Sequence, residues 1–217
     1  MAMELELVDD AMTDNVAAVK DADLVILSTP VGALGAVAGE IGPHLKKGCI
    51  VTDVGSVKEA AINAIAPHIP MGVHFVPGHP IAGTEESGPD AGFAELFHER
   101  WWLLTPLPKT DASALEKVKT LLRKCGAKVE TMEPAHHDRV LAMVSHLPHC
   151  VAFTAIGTAD ALAGDLGQEV INFAGTSFRD LTRVAASDPV MWRDVFLNNR
   201  TAVLDILKRF RGDLDAL

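Results

Sequence analysis

The 217-residue sequence has few cysteines and no long uninterrupted apolar segment. Cys49, Cys125 and Cys150 are odd in number and far apart, which fits free thiols in a reducing compartment better than a disulfide framework. The longest apolar runs, such as 24–27, are much shorter than the roughly 20 residues of a membrane-spanning helix. The acidic residues 1–10 also lack the basic and apolar pattern of a signal peptide. We therefore expect a soluble, cytoplasmic protein.

Basic residues are also in short supply. The chain has 19 Lys and Arg against 29 Asp and Glu, for a net charge of −10. This balance argues against binding to nucleic acid or to an anionic membrane. A small anionic substrate would need a local cluster of basic side chains. Because 48% of the residues are hydrophobic, the chain can form one large domain or two smaller ones.

A third absence is the motif G-x-G-x-x-G, which holds the pyrophosphate of a dinucleotide in many α/β proteins. The first half nevertheless alternates between apolar strands and helical patterns, as in a parallel sheet with crossover helices. The predicted strands are 24–28, 49–53, 73–76, 101–105 and 127–131, and the predicted helices are 32–41, 58–66 and 111–124. In such a sheet, residues 1–14 would be the end of a helix and a stub of strand. Strand 24–28 would then lie at an edge that a dimer contact or residues 1–21 must cover.

The second half is predicted to be helical throughout. Apolar residues recur at spacings of three and four over 133–157, which indicates one long helix. Pro148 should kink this helix near His146 and His149, which share a face. Further helices are predicted over 168–173, 178–185 and 189–210. The fold class is therefore α/β, with a truncated Rossmann-like parallel-sheet domain over 1–132 and a helical domain over 133–217.

The segment Asp53-Val54-Gly55-Ser56-Val57-Lys58 follows a strand and precedes a helix. Its amides and the Ser56 hydroxyl are therefore predicted at the carboxyl end of the sheet, where such folds bind ligands. The alternative is that Ser56 only caps the helix and that Lys58 is solvated.

Gly78-His79-Pro80 follows the next strand at the same end of the sheet. Gly78 and Pro80 restrict the backbone so that His79 is presented to a ligand. A neutral imidazole there can accept a proton from an alcohol as hydride leaves its carbon. The alternative is a histidine that bonds a loop carbonyl.

The helical half contributes further imidazole and guanidinium groups. His146 and His149 flank the expected kink, and substrate contact or helix capping suits them better than a zinc site, for which no ligand spacing is present. Arg179 and Arg183 are four apart and could present a forked donor to a carboxylate. Alternatively, Arg179 pairs with Asp180 or Asp194.

Four separated segments together resemble the prephenate and arogenate dehydrogenase family. They are D-V-G-S-V-K at 53–58, G-H-P-I-A-G-T-E at 78–85, S-H-L-P-H at 145–149 and F-R-D-L-T-R-V-A-x-S-D-P-x-M-W-R-D at 178–194. The resemblance covers nearly the whole chain from about Asp9. It implies a dinucleotide-binding domain, a helical domain that forms a homodimer, and NAD(P)-dependent oxidative decarboxylation in tyrosine biosynthesis.

The same resemblance implies a role for each matching residue. His79 would take the proton of the ring hydroxyl, and Ser56 would orient His79 and touch the cofactor. The implied substrate-binding residues are Arg183, His146, His149, Thr84 and Glu85. The implied cofactor-binding residues are Thr29, Pro30, Val31, Asp53, Gly55, Ser56, Pro80 and Ile81. No metal is implied.

Without the glycine-rich turn, neither NAD nor NADP is favoured as the cofactor, and prephenate and arogenate are equally compatible as substrates. An alternative function is a truncated, catalytically silent dimer of the family that lacks competent cofactor binding. Another small hydroxyacid dehydrogenase is disfavoured, because such an enzyme would have no need of both S-H-L-P-H and T-R-V-A.

Overall fold

Short strands and helices alternate along residues 15–131 of the computed structural model, as the sequence predicts. The strands are β1 (Leu24–Leu27), β2 (Ile50–Asp53), β3 (His74–Val76), β4 (Gly78–Pro80), β5 (Trp101–Leu104) and β6 (Lys128–Thr131). The helices are α1 (Asn15–Val19), α2 (Leu34–Ile41), α3 (Lys58–Ile65) and α4 (Ala112–Lys124). The structure describes residues 2–83, 88–166 and 169–217, in two units, Met1–Asp138 and Arg139–Leu217.

The strands of the first unit form two three-stranded sheets. One has the order β1-β2-β3 and is parallel throughout. In the other, β4 runs antiparallel to β5, and β5 runs parallel to β6. Because parallel strands all end at the same edge, the residues that follow β1, β2 and β3 are brought together there.

Two predictions for this unit are wrong. Gly78-His79-Pro80 is a strand rather than a loop, since His79 pairs with Leu103 of β5. Neither glycine nor proline favours a strand, so only this distant pairing produces it. Residues 2–14 form turns and irregular backbone instead of a helix end and a strand stub. Within the described residues, β1 pairs in its sheet with β2 alone, and Ile26 is 46% exposed.

Two clusters of buried apolar side chains stabilise this unit. In the first, residues of α2 and α3 such as Leu34 and Ile65 pack with the strand residue Val51. In the second, Val118 of α4 packs with Trp102 and other strand residues. Ala114, Val118 and Leu122 are buried at spacings of four, which places one face of α4 against the sheet.

The described elements after β6 are helical. They are α5 (Pro134–Leu141), a π-helix (Ala142–His146), α6 (Leu147–Leu166), α7 (Glu169–Asn172), α8 (Thr176–Ala185), α9 (Pro189–Asn198) and α10 (Arg200–Ala216). The π-helix lies just before Pro148, the residue whose missing N–H was expected to disturb the helix. The single helix predicted over 189–210 is instead two helices, because Asn199 leaves helical geometry with φ −111° and ψ 29°.

The continuous helical stretch Pro134–Leu162 is more apolar than the short runs in the sequence indicated. Its most apolar window has a mean hydropathy of 1.5, enough by length and composition to cross a membrane. Only 28% of that window is buried. The core helix of a soluble protein has the same composition, so this finding is weak evidence for a membrane span.

Candidate active site

The segments that follow β1, β2 and β3 meet at one edge of the parallel sheet. Leu27 lies beside Asp53 in the register of β1 and β2, and Val54 N donates to Leu27 O at 3.2 Å. The Asp53 carboxylate then accepts a hydrogen bond from Gly78 N at 3.2 Å. This edge therefore holds the loop after β1, the turn after β2 and the backbone next to His79.

A buried ion pair joins these segments. The ammonium group of Lys58 donates to Asp53 Oδ2, and both side chains are fully buried. Lys58 Nζ also donates to Gly78 O at 2.5 Å, while Gly55 N donates to Asp53 Oδ2 at 3.0 Å. The expectation of a solvated Lys58 is therefore wrong, because this side chain fixes the backbone beside His79.

Opposing effects act on the charge of Lys58. Burial lowers its pKa, since the charged form loses its hydration. The carboxylate of Asp53 opposes this through its charge and its hydrogen bond, and the charge of Asp138 adds to the opposition. Because burial is the larger effect, the net shift in the pKa of Lys58 is downward.

Helix α3 is capped by a distant aspartate rather than by Ser56. Asp138 Oδ1 accepts from Lys58 N at 2.7 Å, and Asp138 Oδ2 accepts from Glu59 N at 2.9 Å. Within the described residues the Ser56 side chain makes no hydrogen bond, so the predicted alternative of a Ser56 cap is wrong. Its half-buried hydroxyl can therefore bond a ligand.

His79 is connected to the same aspartate through a second histidine. His79 Nδ1 lies 2.9 Å from His137 Nε2, and His137 Nδ1 lies 2.8 Å from Asp138 Oδ1. All three side chains are buried, with His79 at 8% exposure. Sequence reasoning missed the roles of His137 and Asp138, because His137 lies 58 residues from His79 and no local pattern indicates their contact.

The predicted cofactor-binding residues surround this edge. Thr29 Oγ1 is buried and has no hydrogen-bond partner within the described part of the chain. Pro30 and Ile81 are exposed, and Val31 and Pro80 are half-buried. Asp53 differs from these residues because its carboxylate is bonded inside the protein. A direct contact between Asp53 and the cofactor remains a prediction.

In the second unit, His149 stacks on Trp192 with ring centroids 3.6 Å apart. Its Nδ1–H donates to Ser145 O at 2.9 Å, which leaves Nε2 as the acceptor. Burial lowers the pKa of His149, and the charge of Arg183 acts in the same direction, while the bond to Ser145 opposes both. Burial and the nearby exposed guanidinium of Arg183 therefore both favour the neutral form of His149.

The other predicted substrate residues are placed differently. His146 is 1% exposed, and its Nδ1 accepts from Asn199 Nδ2 at 3.1 Å, which favours a role in packing. Within the described residues Arg179 forms no ion pair and Asp194 pairs with Arg193, so the predicted alternative pairings of Arg179 with Asp180 or Asp194 are wrong. Thr84 and Glu85 lie outside the described residues.

A parallel sheet whose strand ends meet at one edge, a buried histidine at that edge and a helical second unit indicate the class of dinucleotide-dependent oxidoreductases. Comparison with known families agrees. The model described as "Prephenate dehydrogenase, nucleotide-binding domain" matches residues 1–131, and "Prephenate dehydrogenase, dimerization domain" matches residues 133–217. The chain therefore belongs to the prephenate dehydrogenase family.

Individual relatives support the same assignment. The chain is 43% identical to the cyclohexadienyl dehydrogenase of Zymomonas mobilis and spans 100% of itself and 73% of that protein. It is 35% identical to the prephenate dehydrogenase of Bacillus subtilis, again over 100% of itself but only 58% of the relative. The structure resembles Aquifex aeolicus prephenate dehydrogenase in complex with hydroxyphenyl propionate and NAD+, with a TM-score of 0.90, 38% identity, and coverage of 100% and 75%.

These findings confirm the predicted family, the order of an α/β domain and a helical domain, and a nicotinamide cofactor of the NAD(P) type. They also support the predicted dehydrogenase function. The chain spans less than two thirds of the B. subtilis relative. The roles of individual residues remain predictions.

We expect Asp53→Asn to lower the free energy of unfolding by about 3–5 kcal/mol, because it leaves the buried ammonium of Lys58 without its counter-ion. Urea denaturation followed by circular dichroism would measure this. Asp23→Asn is the matched control, since Asp23 also pairs with a lysine, Lys46, but is exposed. The control should change stability very little.

The stability loss in Asp53→Asn should depend on pH. Burial lowers the pKa of Lys58 in the folded state, so the unfolded chain binds this proton more tightly. The free energy of unfolding should therefore rise as the pH rises from the folded-state pKa of Lys58 toward the ordinary lysine value of 10.5, because the unfolded chain holds the proton over that range. A loss of the same size at neutral pH and at about pH 10 would contradict a buried, uncompensated charge.

Proposed function

We propose that this chain catalyses the oxidative decarboxylation of prephenate or arogenate, with NAD or NADP as hydride acceptor and His79 as the proton acceptor. The observation that carries this proposal is the buried His79 ring at the ligand-binding edge, bonded through Nδ1 to His137. The names of the relatives supply the substrate class, including arogenate for a Synechocystis dehydrogenase with 33% identity, a TM-score of 0.82, and coverage of 99% and 76%.

The sheet edge fits a dinucleotide. The buried Thr29 hydroxyl lacks a partner among the described residues, as expected of a group that bonds a ligand. Gly55 belongs to the turn after β2, where an added Cβ would lie 2.9 Å from Asp53 Oδ2. The turn therefore requires a residue without a side chain. When bound, the nicotinamide accepts a hydride.

The proposed chemistry uses one protein base. His79 Nε2 accepts the proton of the ring hydroxyl while a hydride leaves the ring carbon that bears this hydroxyl. A carbon–oxygen double bond forms at that carbon. The bond from the ring to its carboxylate then breaks, CO₂ leaves, and its electron pair flows through the ring to the carbonyl oxygen. That oxygen takes the proton back to give a phenol. Aromatisation makes the sequence irreversible.

The second unit offers groups for the substrate's carboxylates and side chain. The side chain of Arg183 is exposed on α8 and makes no hydrogen bond or ion pair within the described part of the chain. Its planar guanidinium can bond a carboxylate through two N–H groups. His149 offers Nε2 as an acceptor, while Nδ1 is occupied by Ser145 O.

The test of this function is the appearance of reduced cofactor when the purified chain is mixed with prephenate or arogenate and with NAD or NADP. We expect reduced cofactor, CO₂ and a phenolic product in equal amounts. The alternative is a catalytically silent member of the family. No turnover with any pair, under conditions in which the Z. mobilis relative is active, would support that alternative.

We expect His79→Asn to lower kcat by at least about 100-fold, since the asparagine amide cannot accept the hydroxyl proton. The change should be visible in the initial rate of cofactor reduction, with the circular dichroism spectrum unchanged. His136→Asn is the control, because His136 is an exposed histidine adjacent to His137. An active His79→Asn variant would remove His79 from the proposed role.

We expect Arg183→Gln to raise KM for the substrate by about 10- to 100-fold with a smaller effect on kcat, because a charge-assisted bond to a carboxylate is lost. Steady-state kinetics at saturating cofactor would measure both constants. Arg179→Gln alters an exposed arginine on the same helix and should leave KM nearly unchanged. Equal effects of the two variants would contradict a specific role for Arg183.

The match to a dimerization domain supports a homodimer. We propose that its interface includes an apolar groove of about 820 Å³ between α6 and α10. Val151 and Ala155 line one side, and Leu204, Leu207 and Leu214 line the other. Leu204 is 49% and Leu214 52% exposed in the isolated chain, so a second copy would remove apolar surface from water. The same contact would cover part of the apolar helix and would suit a cytoplasmic protein.

Leu204→Glu should convert the dimer to a monomer at micromolar concentration, because it places a charge in the apolar interface. Size-exclusion chromatography with light scattering would give the mass. Leu121→Glu alters a leucine on α4 that is 39% exposed, and this control should remain a dimer. A dimeric Leu204→Glu variant would exclude this groove from the interface.

A further inference from the structure

We propose that His137, held by Asp138, is a positioning residue that determines which ring nitrogen of His79 carries hydrogen. This inference rests on the proposed role of His79 as proton acceptor. It extends that role to two residues that never need to touch the substrate. The hydrogen-bond directions along Asp138, His137 and His79 fix this arrangement, beginning at the carboxylate.

The Asp138 carboxylate can only accept hydrogen bonds in its ionised form. It accepts from two backbone amides at the start of α3, Lys58 N at 2.7 Å and Glu59 N at 2.9 Å. The positive end of the helix dipole also favours a negative charge there. The contact of Asp138 Oδ1 with His137 Nδ1 at 2.8 Å therefore requires that Nδ1 carry the hydrogen.

A neutral imidazole has one N–H group and one acceptor nitrogen. Because Nδ1 of His137 donates, its Nε2 must accept. Its neighbour at 2.9 Å is His79 Nδ1, which must therefore donate. The acceptor nitrogen of neutral His79 is then Nε2, the atom that the proposed reaction requires.

The surroundings favour this arrangement over the opposite one. His137 is 0% and Asp138 2% exposed, so water cannot readily replace either contact. The opposite tautomer of His79 would place two lone pairs, on His79 Nδ1 and His137 Nε2, against each other. After proton transfer, His79 carries two N–H groups and keeps its bond to His137, so the ring need not turn.

Two amide substitutions separate the two contacts of His137. The amide of glutamine reaches the position of histidine Nε2, so His137→Gln can still accept from His79. The amide of asparagine falls near the position of Nδ1, so His137→Asn keeps the contact with Asp138 but loses the one with His79. The Asn variant is thus a control for packing and for the cap of α3.

Nitrogen-15 NMR of the ligand-free protein reports which imidazole nitrogens carry hydrogen. We expect His79 of the native chain and of His137→Gln to carry it on Nδ1, and His137→Asn to show a mixture of tautomers. The His79→Asn variant assigns the signals, and His149, with its own Nδ1–H bond to Ser145, should not change. A native His79 with hydrogen on Nε2 would overturn the proposal.

The kinetic comparison uses the same variants. We expect kcat to fall on the order of 100-fold in His137→Asn and to stay within about tenfold of native in His137→Gln, with KM for substrate and cofactor nearly unchanged. Equal kcat values in the two variants would also overturn the proposal. If the chain has no turnover at all, the proposed function fails, while the NMR measurement still decides the tautomer. The spectrum of the native chain shows which nitrogen of His79 carries hydrogen even if neither variant folds.

Discussion

The buried ammonium group of Lys58 makes the contacts on which the carboxyl edge of the parallel sheet depends. It joins Asp53 at the end of β2 to the carbonyl of Gly78, the residue before His79. A charge without water is costly unless it is paired and fully hydrogen-bonded. Asp53 also accepts hydrogen bonds from the amides of Gly55 and Gly78. The ion pair of Lys58 and Asp53 therefore fixes the end of β2, the turn after it and the start of β4.

Asp138 connects the backbone at the start of α3 to the ring of His137. It caps α3 next to Lys58 and bonds His137, which in turn bonds His79. The first residues of α3 are thus connected both to the backbone beside His79 and to its ring. The second unit contains a similar contact, in which His149 Nδ1 donates to Ser145 O. In both places a hydrogen bond on Nδ1 leaves Nε2 as the acceptor.

Periodicity in the sequence predicted most of the strands and helices of the first unit, because buried faces repeat locally. The strand Gly78–Pro80 could not be predicted in this way, since its pairing with β5 joins residues more than 20 apart. The break between α9 and α10 at Asn199 was also missed, and the side chain of Asn199 contacts His146, 53 residues earlier in the chain. The four motifs located His79, Ser56 and Arg183, but not the burial of Lys58 or the connection through His137 and Asp138. Those contacts join segments about 60 to 80 residues apart, and no local pattern records them.

The proposed function requires neutral His79 to accept the substrate proton at the edge of the sheet. Its most direct test is the pH dependence of kcat/KM for prephenate in the native chain, with saturating cofactor. Protonated imidazole cannot accept a proton, so the rate should fall at acidic pH with the titration of one group. A rate that stays constant into acidic solution would contradict a histidine base.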